Sequence, residues 1–161
     1  MEPVATLAVV IEASVALAGF AGIVAAVGRE GWNDADSLQL GNLLSTAFSA
    51  LFLSILALVL MHAGISEATT WTTLSATWLL VGGLSTIANL RALPLQRGSE
   101  SGTWFGAASL FWFGTAVAML VLQVYNVARA QDFWPILVGI AWLFGLSCFS
   151  FWRLLLRRHG S

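Results

Sequence analysis

The sequence predicts an all-α integral membrane protein: a five-transmembrane-helix bundle with its N-terminus outside and its C-terminus cytoplasmic. Three observations predict it. Five apolar runs, 4–28, 37–62, 70–92, 103–128 and 133–156, can each cross a hydrocarbon core of ~30 Å at about 1.5 Å per helical residue. They are too long, and alternate too little, for barrel strands. Of the 161 residues, 58% are hydrophobic and only 9% are charged, against about 25% charged in soluble domains. Finally, the arginines are distributed unevenly. With the N-terminus outside, Arg29, Arg91, Arg97, Arg153, Arg157 and Arg158 fall on the inner side and Arg129 alone on the outer side. That bias satisfies the positive-inside rule. It points to a multi-pass cell membrane protein of the bacterial inner-membrane type, and argues against insertion in both orientations.

The first run, Val4 to Gly28, is rich in alanine and glycine and carries one acid, Glu12. Pro3 suits its first turn, where a missing N–H costs nothing. Glu2 stands where a signal peptide would carry a basic residue, and the run exceeds an h-region of about 7–15 residues, so the helix is expected to remain in the mature protein. Asp36 or Ser37 can cap the second helix, Thr69 or Thr70 the third, Ser101 or Thr103 the fourth and Asp132 the fifth. Trp32, Trp71, Trp104, Trp134 and Trp152 lie near segment ends, as interfacial rings do, while Trp78, Trp112 and Trp142 lie deeper. The connections are short, with Pro94 to Gly102 the longest inner loop. The chain, 1–161, therefore reads as a single transmembrane domain.

Glu12 carries the functional expectation. It lies about 12 Å into the first helix, where an unpaired lipid-facing acid costs about 2.5–3.5 kcal/mol. No arginine is expected at its depth. Glu12 should therefore face the bundle interior, a subunit interface or water. Depth matching offers Ser54, Thr77 and Gln123 as hydrogen-bond partners. Helical spacing puts Ala5, Ala8, Glu12, Ala16, Gly19, Ile23 and Ala26 on one stripe. Small residues permit close helix packing and also leave room for a path. A second polar layer lies toward the cytoplasm: Asn42, Ser45 and Ser49 on the second helix, Ser85 and Asn89 on the third, Thr115 on the fourth, and Ser147 and Ser150 on the fifth. Interhelical hydrogen bonds are the common use of such residues; a wet vestibule is the sharper one.

Other features carry less. Cys148, the one cysteine, is expected as a small buried hydrophobe. His62 ends the second helix at the outer boundary. Asn33, Asp34 and Asp36 lack the spacing of a calcium loop. Arg153, Arg157 and Arg158 are expected against lipid headgroups. No metal cluster, phosphate-binding loop or paired carboxylates appear, so neither an enzyme nor a cofactor is expected, and a net charge of −1 suggests no nucleic acid partner. The expectation is a homo-oligomeric channel for inorganic cations or protons. Glu12, Ala16, Gly19, Asn42, Ser45 and Ser49 would line the path. The alternatives are a non-conducting interaction or scaffold subunit, in which Glu12 and the glycines bind a partner helix, and a proton-coupled carrier that titrates Glu12.

Overall fold

The computed structural model describes residues 2–27, 34–97 and 103–159. Within them are five α-helices: α1 Pro3–Val27, α2 Asp34–His62, α3 Glu67–Arg97, α4 Thr103–Tyr125 and α5 Phe133–His159. A π-helical turn, Asn126–Ala130, continues α4. Four helices contain segments long and apolar enough to cross a membrane: Pro3–Ala26, Leu40–His62, Phe111–Ala130 and Phe133–Trp152. The chain is an all-helical protein built to be embedded in a membrane. The helix that falls short, α3, begins with a threonine-rich stretch, EATTWTTLSATW.

The helix ends show which local chemistry won. α1 starts at Pro3, as expected. α2 starts at Asp34, so Asp36 and Ser37 lie inside it rather than capping it. Its C-terminus is a Schellman motif: Ile65 N–H donates to the Leu60 carbonyl (3.2 Å) and Gly64 N–H to that of Met61 (3.1 Å). Gly64 has φ +74°, the left-handed conformation that glycine adopts without strain. The cap of α3 is Ser66, not Thr69 or Thr70. Its Oγ accepts from the Thr69 N–H at 3.3 Å, because the helix starts earlier than the apolar run does. α3 also runs on through Pro94 to Arg97, so the expected loop from Pro94 begins as helix. Asp132 caps α5 as expected, its Oδ1 accepting from the Phe133 N–H at 2.6 Å.

The chain forms two compact units, one of Met1–Ile65 with Ile140–Ser161 and one of Ser66–Gly139. In the first, α1 packs along α2. Leu7, Ser14 and Ala21 of α1 are fully buried at a seven-residue spacing, the period of a narrow helix–helix seam. α2 answers with Leu43, Ala47, Ala50, Leu53, Ser54 and Ala57. So many alanines and serines let the backbones approach closely, which matters in lipid because burying apolar surface there gives no hydrophobic gain. Thr46 Oγ1 and Ser147 Oγ lie 2.5 Å apart and join α2 to α5. Phe20 and Phe151 meet edge to face, with centroids 5.3 Å apart.

The second unit is held by polar contacts. Trp71, Leu74, Ser75 and Trp78 form the buried face of α3. Asn126 Nδ2 donates to Ser75 Oγ (2.7 Å) and to the Asp132 carbonyl (3.1 Å), while its Oδ1 accepts from the Asp132 N–H (2.9 Å). Ser75 Oγ passes its hydrogen to Gln123 Oε1 (3.0 Å), and Gln123 Nε2 donates to the Pro135 carbonyl (2.7 Å). The bonds run in one direction and polarise one another. The Asn126 side chain thus replaces backbone partners that the chain reversal removes. The same reversal places Gln131 at φ 50°, uncommon for a residue other than glycine.

Trp71 is 2% exposed, and its ring sits 5.0 Å from that of Phe133. It is a packing residue of the second unit rather than the interfacial ring expected from its position. Trp134 and Trp152 are exposed, as interfacial rings would be. Trp78 is buried, in keeping with its greater depth.

Gly139 is where this packing is tightest. A Cβ there would lie 2.8 Å from Gln123 Nε2 and 3.1 Å from Trp78 Nε1. Gln123 is fixed at both ends of its amide and cannot yield cheaply. Gly139→Ala should therefore destabilise the detergent-solubilised protein by about 1–3 kcal/mol, as overpacking does. Gly145→Ala, on the same helix with nothing within 4 Å, should not. Thermal aggregation midpoints of the two variants make the comparison.

Candidate functional site

The two faces of α1 differ. Leu7, Ser14 and Ala21 are buried within the protomer. Ala5, Ala8, Glu12, Ala16, Gly19, Ile23 and Ala26 are all exposed. The stripe read from the spacing thus looks away from the chain's own packing, and Glu12 sits on it with no hydrogen bond or ion pair among the described residues. It is flanked by apolar side chains that are also exposed, among them Val9 and Val15.

The glycines sharpen the contrast. A Cβ at Gly19 or Gly22 would meet nothing within 4 Å. Unlike Gly139, neither is small because the protomer needs the space. Among the described residues, nothing packs on the small surface at Gly19 or Gly22. An ionised carboxylate on it has no counter-charge either, and in hydrocarbon that arrangement costs about 2.5–3.5 kcal/mol.

The residues matched to Glu12 by depth are engaged elsewhere. Ser54 is buried and donates to the Ala50 carbonyl at 2.9 Å. Thr77 donates to the Thr73 carbonyl at 2.9 Å. Gln123 belongs to the network with Ser75 and Pro135. None of the three bonds to Glu12. Depth counting ranks residues along a helix axis, but it carries no information on the direction each side chain takes around that axis.

The second polar layer divides. Asn42 and Ser49 of α2 are half-buried and Ser45 is exposed. Ser49 Oγ donates to the Ser45 carbonyl at 2.7 Å, the usual local use of a helical serine. Ser147 and Ser150 are buried, and Ser147 is tied to Thr46. Thr115 donates to the Trp112 carbonyl at 2.9 Å. Ser85 and His62 are exposed. The side chains of Asn89, Arg153, Arg157 and Arg158, of Asp34 and Asp36, and the whole of Asn33 lie outside the described residues.

Cys148 is exposed, not buried as expected. In lipid the outer surface of a bundle is as apolar as its core, so an apolar neighbourhood in sequence does not tell the two apart. Among the described residues no group of His, Cys, Asp and Glu could hold a metal ion. Sequence reasoning offered Gln123 as a partner for Glu12 and missed the network that joins Gln123 and Asn126 through Ser75. Their spacing of three was the available signal, and nothing in it named Ser75 or the Pro135 carbonyl. No known protein family matches the chain, and neither the curated proteins nor the solved structures contain a match to it.

Because Gly19 is uncrowded, Gly19→Ala should leave the isolated protomer at least as stable as the parent, with a gain of up to about 1 kcal/mol from helix propensity. Thermal unfolding of the monomeric protein in detergent measures it. A loss of stability would mean that the outward face is packed.

Proposed function

We propose that the chain is a five-span protomer of a homo-oligomeric channel that conducts cations, with Glu12 as the ion-attracting residue. The single observation that carries this reading is the exposure of Glu12 on the small outward face of α1, without a partner among the described residues. A symmetric ring of protomers would bring the Glu12 side chains around one axis. Carboxylate rings of this kind select for cations. Ala16 and Gly19, the next residues along the stripe, would leave the path open, and Asn42, Ser45 and Ser49 would line its inner part. One 161-residue chain is too small to enclose both a pore and a packed core, so closed symmetry is the economical route.

In this arrangement α3 is the fifth span. An odd number of spans places the N-terminus outside and the C-terminus in the cytoplasm, in the orientation that the arginines favour. Arg153, Arg157 and Arg158 then meet the anionic headgroups of the inner leaflet, in a membrane of the bacterial inner type.

Glu12→Gln keeps the size of the side chain and removes its charge. It should lower cation flux from proteoliposomes by about tenfold, the equivalent of about 1.4 kcal/mol in a barrier. Unchanged flux and selectivity would exclude the role given to Glu12. Absence of flux from the pure parent protein, with a stable hetero-complex in the membrane extract, would favour the interaction subunit. Saturable flux driven by a pH gradient would favour the proton-coupled carrier.

A further inference from the structure

A second outward surface differs from the rest of the protein. On α3, residues 69, 72, 73, 76, 77, 80 and 84 follow one another at helical spacing on one side. Thr69, Thr73 and Ala76 are exposed, and Thr72 and Thr77 are half-buried. Beyond them the same side becomes Leu80 (64% exposed) and Leu84 (61% exposed). The surface therefore changes from hydroxyl-bearing to aliphatic about half-way along the helix. At the hydroxyl end lies a shallow recess of about 200 Å³ lined by Ala68, Thr69, Thr72, Thr73 and Gln131.

The hydroxyls are arranged alike. Thr72 Oγ1 donates to the Ala68 carbonyl (2.7 Å) and Thr77 Oγ1 to the Thr73 carbonyl (2.9 Å). Ser66 and Thr69 share a hydrogen bond of 2.8 Å between their hydroxyls. A hydroxyl has one hydrogen and two lone pairs. Thr72 and Thr77 use that hydrogen locally, so their oxygens accept, while the Gln131 amide at the same recess offers N–H donors. A surface that both accepts and donates suits water.

Depth makes the observation informative. Thr77 lies about 15 Å along α3 from Glu67. The polar layer on each side of a bilayer is only about 5–7 Å thick. With α3 as the proposed span, entering hydrocarbon near Thr70, Thr77 is too deep to be wetted by the headgroup region alone.

We infer that this side of α3 lines a water-filled recess that reaches at least to Thr77. The inference rests on α3 being a span, as in the reading above, but not on Glu12. The aqueous surface ends at Leu80, where the hydroxyls end.

Cysteine accessibility in native membranes tests it. With Cys148→Ser as the background, Thr73→Cys, Ala76→Cys, Thr77→Cys and Leu84→Cys are each exposed on both sides to membrane-impermeant methanethiosulfonates. One reagent carries a trimethylammonium group and the other a sulfonate. A membrane-permeant maleimide confirms that each variant is present and has a free thiol. The recess predicts that Ala76→Cys and Thr77→Cys react on the order of tenfold faster than Leu84→Cys, since water is absent from hydrocarbon. Should Ala76→Cys and Thr77→Cys be as slow as Leu84→Cys, that side of α3 faces lipid or protein and the recess does not exist. Fast labelling of Leu84→Cys would show that α3 lies outside the bilayer, overturning the span itself.

Discussion

A carboxylate without a counter-charge, on the outside of its own helix packing, is the constraint around which the protein is arranged. Among the described residues nothing compensates Glu12. Turning it inward would place it against Leu7, Ser14 and Ala21, where α1 packs along α2. All three are fully buried in that seam, and an unpaired acid facing lipid costs about 2.5–3.5 kcal/mol. On the proposed reading, compensation comes from outside the protomer, and the small residues around Glu12 allow another backbone, or a path for ions, to come close.

The two units meet the problem of packing without a hydrophobic drive in different ways. The first relies on close approach: Ala21 faces a row containing Ala47, Ala50 and Ala57. The second relies on directional bonds, with Asn126, Ser75 and Gln123 handing hydrogens along to the Pro135 carbonyl. Hydrogen bonds of this kind are modest individually, about 0.6 kcal/mol between membrane helices. Leaving one of those groups unpaired in the same place costs more, because no water can replace the lost partner. The network thus specifies the α4–α5 reversal more than it strengthens it. Gly139 is the counterpart in shape, since its missing side chain is what lets Trp78 and Gln123 meet α5.

Much of the fold could be read from the chain because the bilayer imposes its own length scale. Apolar runs, broken by Gly64 and Asp132, give the five helices, four of them apolar enough to span. Starts were harder. Ser66 precedes the apolar run, and a cap belongs to the first helical residue, not to the first apolar one. The stripe containing Glu12, Ala16 and Gly19 was legible because helical periodicity is a local property. Its direction was not, since small residues serve a buried seam and an outward surface equally well. For the same reason Cys148 looked buried and is not, and Ser54, Thr77 and Gln123 were matched in depth while pointing to other partners. The residues that differ from expectation are those whose placement depends on rotation about a helix axis, which one sequence does not encode.

Ala16 lies one turn along the stripe from Glu12, so a cysteine there reports directly on what faces the acid. The decisive measurement is oxidative cross-linking of Ala16→Cys in native membranes, with Cys148→Ser removing the native thiol and Val121→Cys as a control on an exposed face of α4. A disulfide requires Cα atoms within about 7 Å. If Glu12 faces a second copy, Ala16→Cys forms a covalent dimer and Val121→Cys does not. If Ala16→Cys stays monomeric under oxidation and with bifunctional maleimides long enough to cross a pore, while its thiol remains free to react, no second copy surrounds that face, and the homo-oligomeric channel is contradicted.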